Sequence, residues 1–108
     1  MRVKKLNKNI FHGVILESIL LKLINEASDE GLHGYGILKM IQEKYGIRMG
    51  ASSIYPELKS LEKRGLIKSR WEVCLKRACK LYKITTQGQI LLKKYFLELR
   101  TIIPVSVN

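Results

Sequence analysis

Ser53-Ile54-Tyr55-Pro56-Glu57-Leu58-Lys59-Ser60-Leu61-Glu62-Lys63-Arg64-Gly65-Leu66-Ile67 is the stretch on which the fold turns. Ile54, Leu58 and Leu61 recur at helical spacing, and Gly65 followed by Leu66 reads as a C-terminal stop with its apolar contact. The spacing predicts a helix from about Gly50–Ser52 to Arg64. Pro56 is awkward inside it, because its ring clashes with the preceding turn. Either the helix begins later, or the proline sits in the tolerant first turns at the cost of one bond. The face turned away from the apolar stripe holds Ser52, Pro56, Lys59, Ser60 and Lys63, with Ser53 and Tyr55 at its edges, and it carries no acidic residue.

Downstream, Ile67, Ser69, Trp71 and Val73 alternate with Lys68, Arg70, Glu72 and Cys74, the period of a strand. Residues 67–84 are expected to form a hairpin with Leu75-Lys76-Arg77-Ala78 as its loop. If Cys74 opposes Cys79, then Trp71 opposes Tyr82, and Ile67, Trp71, Val73, Tyr82 and Ile84 share a face. Thr85 or Thr86 then caps a last helix, Thr86 with Gln89 matching a capping box, and Pro104 stops it. Upstream, a helix is expected from about Gly34 to Lys44 on Ile37, Leu38, Ile41 and Tyr45, with Gly46 as a left-handed cap. Another is expected from Ile10 to about Ala27. Its polar strip of Glu17, Lys22, Asn25 and Glu26 is narrow, and a helix apolar around most of its girth must be covered on two sides.

Three helices, a two-stranded wing and a closing helix make a mainly α fold with a small β-hairpin, the winged helix–turn–helix arrangement. The expected division is a basic arm at 1–9 (Arg2, Lys4, Lys5, Lys8), the winged module at 10–85 and a C-terminal dimerisation helix at 86–108. The chain has 108 residues, with 20 Lys and Arg against 9 Asp and Glu, a formal net charge of +11. That balance favours a polyanionic partner, nucleic acid or an anionic membrane surface, over plain solubility. No apolar run reaches the roughly 18 residues a membrane span needs, and no signal-peptide pattern follows the basic start. A cytoplasmic protein with no membrane partner is expected.

A recognition helix shows its outer face to the major groove while the other face holds the core. Ser52, Ser53, Tyr55, Pro56, Lys59 and Lys63 are therefore candidate DNA contacts, with Lys76, Arg77 and Lys80 at the wing reaching phosphates. An ordinary solvated helix face and a solvated charged turn are the plainer alternatives. Leu92, Tyr95, Phe96, Leu99, Ile102 and Ile103 form an apolar stripe on the last helix, the candidate dimer interface.

These residues resemble a family. His33-Gly34-Tyr35 resembles the "HGY" of PadR-like regulators, and the stretch quoted first resembles their "TLYPALKRLEEEGLI". Ser69-Arg70-Trp71-Glu72 and Tyr82-Lys83-Ile84-Thr85-Thr86-Gln87-Gly88 resemble "SRWE" and "YRLTEEG". The resemblance runs from residue 14 to about 93 and places Pro56 inside the recognition helix. It adds Tyr35 to the candidate DNA contacts. It implies the short subfamily: a transcriptional regulator, expected to be a repressor, that binds operator DNA as a homodimer through its first and last helices. A small, flat hydrophobic effector between those helices is implied as the releasing signal. Gly36 stands where the family has an acidic residue. Lys76-Arg77-Ala78-Cys79-Lys80-Leu81-Tyr82 stands for "GRPRKYY", without its glycine and proline.

Enzyme signals are absent: there is no Gly-rich phosphate loop, His-x-x-x-His pair or nucleophile elbow. His12 and His33 are isolated. Cys74 and Cys79 are not a zinc signature without two more ligands, so neither metal nor cofactor is expected. Across a hairpin the cysteines could form a disulfide; two free thiols are the favoured reading in a cytosolic protein. A sequence-neutral architectural DNA binder is the alternative function, and a winged module that binds protein is the third.

Overall fold

The computed structural model describes residues 2–27 and 31–102, with side chains for 13–27 and 31–98. In chain order the elements are α1 (Arg2–Glu26), β1 (Leu32–His33), α2 (Gly34–Tyr45), α3 (Ala51–Lys63), β2 (Ile67–Cys74), β3 (Arg77–Ile84) and α4 (Thr86–Ile102). The strands form one antiparallel sheet in the order β1-β3-β2. This is a winged helix–turn–helix closed by a fourth helix.

α1 begins at Arg2 rather than at Ile10. The residues before Ile10 include Lys and Leu, good helix formers, and no glycine or proline, so nothing ends the helix early. Leu20, Leu21 and Leu23 are fully buried and Ile24 nearly so, which demands cover on more than one side. The chain supplies it: α2 and α3 pack on α1, and so do α4 and β3. Only Val14 and Ile15, of the apolar residues described on α1, are exposed. Ile37 and Ile41 from α2 and Ile54, Leu58 and Leu61 from α3 complete the core with Leu66, Ile67 and Tyr82.

The local stops behave as their residues dictate. Gly46 follows α2 with φ 65°, its N–H donating to the Gln42 carbonyl. After α3, Gly65 has φ 77°, and the Leu66 and Gly65 N–H groups donate to the Leu61 and Glu62 carbonyls at 2.9 and 3.0 Å, a Schellman end. Pro56 lies inside α3, beyond the first turn. It has no N–H for the Ser52 carbonyl, and it stands on the exposed side of the helix, where water can take that acceptor.

Two sequence expectations are corrected in the hairpin and at α4. Cys74 faces Arg77, not Cys79, and Trp71 faces Lys80, not Tyr82. The loop is only Leu75-Lys76, with φ of 52° and 67°, the two left-handed residues of a tight hairpin turn. A register shift of two residues leaves every side chain on its expected face. Trp71 and Val73 nevertheless stay exposed, because the wing runs out past the core that buries Ile67 and Tyr82. At α4 the cap is Thr85, one of the two expected positions, and the capping box of Thr86 with Gln89 does not form. The Thr85 hydroxyl accepts the Gly88 N–H at 3.1 Å and lies 2.7 and 3.0 Å from the Gly65 and Leu66 carbonyls. Gln89, expected in a capping box, donates to Asn25 Oδ1 instead. β1 was not expected at all.

Glu17, read from the sequence as part of a polar strip, is 8% exposed. One carboxylate oxygen accepts from Arg64 Nη2 and the other from the Tyr95 hydroxyl, so α1, the end of α3 and α4 meet at one charge. Burial above all, then the hydrogen bond to Glu17, pushes the Tyr95 phenol from 10.0 up to about 12.

Two outcomes follow from this packing. A Cβ on Gly88 would lie 2.1 Å from the Leu66 carbonyl oxygen, a backbone atom that cannot swing away. Gly88→Ala is expected to cost about 3 kcal/mol, at the upper end of overpacking effects; denaturant unfolding within 0.5 kcal/mol of wild type would contradict this. Tyr95→Phe should lose about 2 kcal/mol near neutral pH, a hydrogen bond to a charged group. Because the folded-state pKa is raised, the stability supplied by the hydroxyl is complete below pH 10.0 and lost as pH climbs toward about 12. The gap between wild type and variant should therefore narrow over that window, and unfolding curves offset by a constant amount through it would refute the linkage.

Candidate nucleic-acid interface

α3 divides cleanly into two faces. Ile54, Leu58 and Leu61 are buried, while Ser52, Ser53, Tyr55, Pro56, Lys59 and Lys63 are all exposed. Glu62 does not intrude on the exposed face. It is half-buried and turned to the sheet, where it accepts from Ser69 Oγ at 2.6 Å and lies 3.8 Å from Lys80 Nζ.

The start of α2 reaches the same surface through a close approach. A Cβ at Gly34 would lie 2.6 Å from Tyr55 Cε1 and 2.9 Å from its hydroxyl. Glycine at this position thus lets the Tyr55 ring lie on the backbone of α2, and Tyr35 beside it is 73% exposed. The sequence placed Tyr35 and Tyr55 among the contacts; the structure brings them together at the junction of α2 and α3.

The wing supplies the third edge. Lys76 and Arg77 are exposed at its tip. Lys80 is differently placed from the expected open phosphate contact: it is half-buried, close to Glu62, with its ammonium 5.4 Å from the centre of the Trp71 ring, a cation–π distance. Trp71, 67% exposed, is a candidate the sequence reading missed by assigning it to the covered face. No signal in the sequence marked this, because the partner opposite it, Lys80, follows only from the observed register. Between wing, α3 and the start of α2 lies a cleft of about 510 Å³ whose walls include Tyr35, Tyr55, Trp71, Arg77 and Lys80. Tyr82, also in its wall, has its phenol pushed up mainly by burial.

Cys74 and Cys79, favoured as free thiols, are joined as a disulfide with Cα atoms 6.0 Å apart. They share a face of the wing, and Cys74 Sγ is 3.0 Å from His33 Nε2 on β1.

On α4, Leu92 and Tyr95 are half-buried against the chain's own core, and Phe96 is 60% exposed. The side chains of Leu99 and Ile102, and all of Ile103, lie outside the described residues, as does the side chain of His12. Ile90 and Leu97 extend the exposed apolar surface of α4. Among the described residues no helix is long and apolar enough to cross a membrane.

Comparison with known proteins agrees with this architecture. The profile of the transcriptional regulator PadR-like family matches residues 20–94. Transcriptional regulator Rv3488 of Mycobacterium tuberculosis is 29% identical over 72 residues, which is 67% of this chain and 66% of that protein; the chain thus matches just under two thirds of that relative's length. Bacillus subtilis PadR, solved in complex with operator DNA, superposes with a TM-score of 0.68 at 30% identity over 76% of this chain and 47% of that one. The transcriptional regulator TA0346 of Thermoplasma acidophilum gives a TM-score of 0.75 at 26% identity over 85% of this chain and 86% of that one. The family is one of transcription factors with a DNA-binding fold, not of enzymes. The matched residues span the helices α2 and α3, the wing and the start of α4, and this chain belongs to the PadR-like family of transcriptional regulators.

Proposed function

We propose that the protein is a repressor that binds operator DNA as a homodimer in the cytoplasm. The observation that carries this reading is the exposed face of α3, where hydroxyls, Tyr55 and lysines stand without a carboxylate. Short hydroxyls and lysines reach base edges and phosphates at close range. The net charge of +11 supplies the sequence-independent attraction. The B. subtilis relative of known structure is bound to operator DNA, which supports an operator-DNA partner here. The alternative is a sequence-neutral architectural binder, favoured by the charge alone.

The roles divide by position. Ser53 and Lys59, at the N-terminal half and centre of α3, are the base-reading residues, with Ser52, Tyr55 and Pro56 shaping the contact surface and Tyr35 beside them. Lys63, Lys76 and Arg77 hold phosphates, and Lys80 contributes from its place beside Trp71. Lys59→Ala and Ser53→Ala should each weaken operator binding by ~1–3 kcal/mol and leave random-sequence binding nearly unchanged. Equal losses on both DNAs in a competition shift assay would turn the reading toward the architectural alternative. Lys76→Ala with Arg77→Ala should weaken binding to every sequence and flatten the salt slope by roughly two units; an unaltered slope would remove the wing tip from the backbone contacts.

The dimer is the second part of the proposal. A two-fold pair spaces its recognition helices one duplex turn apart, about 34 Å. The exposed apolar residues Val14 and Ile15 on α1 and Ile90, Phe96 and Leu97 on α4 are the surface two chains would share. Leu99, Ile102 and Ile103 continue the stripe in sequence, with Leu92 and Tyr95 anchoring it to the core. A flat hydrophobic effector stacked near Phe96 would bias the angle between two such chains and release the DNA. Phe96→Asp with Ile90→Asp should yield a folded monomer by sedimentation, with operator affinity sharply reduced. A double variant that stays dimeric would place the interface elsewhere, and a monomer that binds the operator undiminished would uncouple dimerisation from recognition.

A further inference from the structure

The imidazole of His33 and the sulfurs of Cys74 and Cys79 form the one cluster of potential metal ligands among the described residues. Their ligand atoms all lie within 4.8 Å of one another, and each residue is half-buried. In sequence His33 stands 41 positions from Cys74, so the cysteine spacing alone hides the third donor. The sheet order makes the cluster. His33 pairs with Leu81 on β3, and Cys79 and Leu81 alternate onto the same face as Cys74.

We propose that in its reduced form the wing binds one thiophilic cation of the zinc class through Cys74 Sγ, Cys79 Sγ and His33 Nε2. Two thiolates and an imidazole are the donor set that such soft or borderline ions select over magnesium and calcium. A tetrahedral centre with metal–sulfur bonds of about 2.3 Å sets its ligand atoms roughly 3.5–4 Å apart. Cα atoms 6.0 Å apart allow the two sulfurs, once unlinked, to open to that separation by side-chain rotation. Two thiolates neutralise a divalent ion, so the site can stand beside Arg77 and Lys80 in the same cleft wall. The cleft leaves the fourth position open to water.

The disulfide and the metal use the same two sulfurs and exclude one another. A dithiol reductant delivers two electrons and two protons to the bond, leaves two thiols and is itself oxidised to a cyclic disulfide. Metal binding then displaces the two thiol protons to solvent. The bound ion would tie the end of the wing to the residue preceding Gly34 and Tyr35. It would thus set the wing against the α2–α3 junction, a consequence for DNA binding that rests on the function proposed above.

The site itself is tested without DNA, which keeps its failure distinct from failure of the DNA-binding reading. The full chain is reduced with dithiothreitol, freed of it anaerobically and titrated with Co²⁺ alone. One equivalent should bring up the near-ultraviolet thiolate-to-cobalt charge-transfer band, and Zn²⁺ alone should abolish it by displacement. Hydrogen peroxide, taking two electrons from the two thiols to give the disulfide and two waters, should prevent the band. His33→Ala, Cys74→Ser and Cys79→Ser, each checked for native circular dichroism, should weaken Co²⁺ binding by more than the roughly 10- to 100-fold that loss of an outer-shell partner costs. A reduced, folded wild type that gives no charge-transfer band would overturn the proposal. Full-affinity binding by His33→Ala would equally remove the histidine from it.

Discussion

A carboxylate withdrawn from water inside a small core must be matched, or it neutralises or unfolds its surroundings. Glu17 meets that demand with a partner on each oxygen, Arg64 from the end of α3 and Tyr95 from α4. The consequence is geometric as much as energetic. Arg64 is the capping residue of α3, so the charge that α1 buries also ties the end of α3, which Gly65 stops, to α1 and helps set how that helix is rotated. With Leu58 and Leu61 fully buried on one face, that rotation leaves Ser52, Ser53, Lys59 and Lys63 outward. Tyr95, in turn, is held to its own chain and closes its core.

Two close backbone approaches then fit the remaining parts around α3. Gly88 lets the first turn of α4 lie on the Leu66 carbonyl, and Gly34 lets Tyr55 lie on the first turn of α2. Both sites would need a neighbour to move if a methyl group were added, but the neighbours differ: one is backbone, the other an aromatic ring able to rotate. Gly88 therefore belongs to the stability of the fold. Gly34 belongs to the shape of the surface where Tyr35 and Tyr55 stand.

What could be read from the sequence was whatever is decided locally. The ends of α2 and α3 were legible because Gly46 and Gly65 answer to their own helices, and the two faces of α3 followed from Ile54, Leu58 and Leu61. The faces of the hairpin were legible too, since they depend only on a period of two. Its register was not, because Leu75-Lys76 contains none of the glycine or asparagine that usually marks such a turn. β1 is two residues long, too short for any pattern. Glu17 looked like a solvent-facing residue because its partners are 47 and 78 positions away. Of the interface, the exposed side chains of α3 were foreseeable, whereas the exposure of Trp71 and the engagement of Lys80 depended on how far the wing extends beyond the core.

The wing shows how the same end can be reached without the usual residues. Where the family motif has a glycine and a proline, this chain has Lys76 and Ala78, and the turn still places Leu75 and Lys76 at positive φ. For residues with a Cβ the left-handed conformation costs roughly 1–2 kcal/mol each, so the turn alone does not favour the hairpin. Cross-strand links must hold it. The bond between Cys74 and Cys79 does so just inside the turn, the stacking of Lys80 on Trp71 does so farther in, and the pairing of Ile67 with Ile84 does so at the base. A disulfide around so short a loop removes little chain entropy, so its contribution is mainly local, fixing the register that the turn residues do not specify. The pair of sulfurs thus sits at the place where the wing's own sequence is least able to hold its shape.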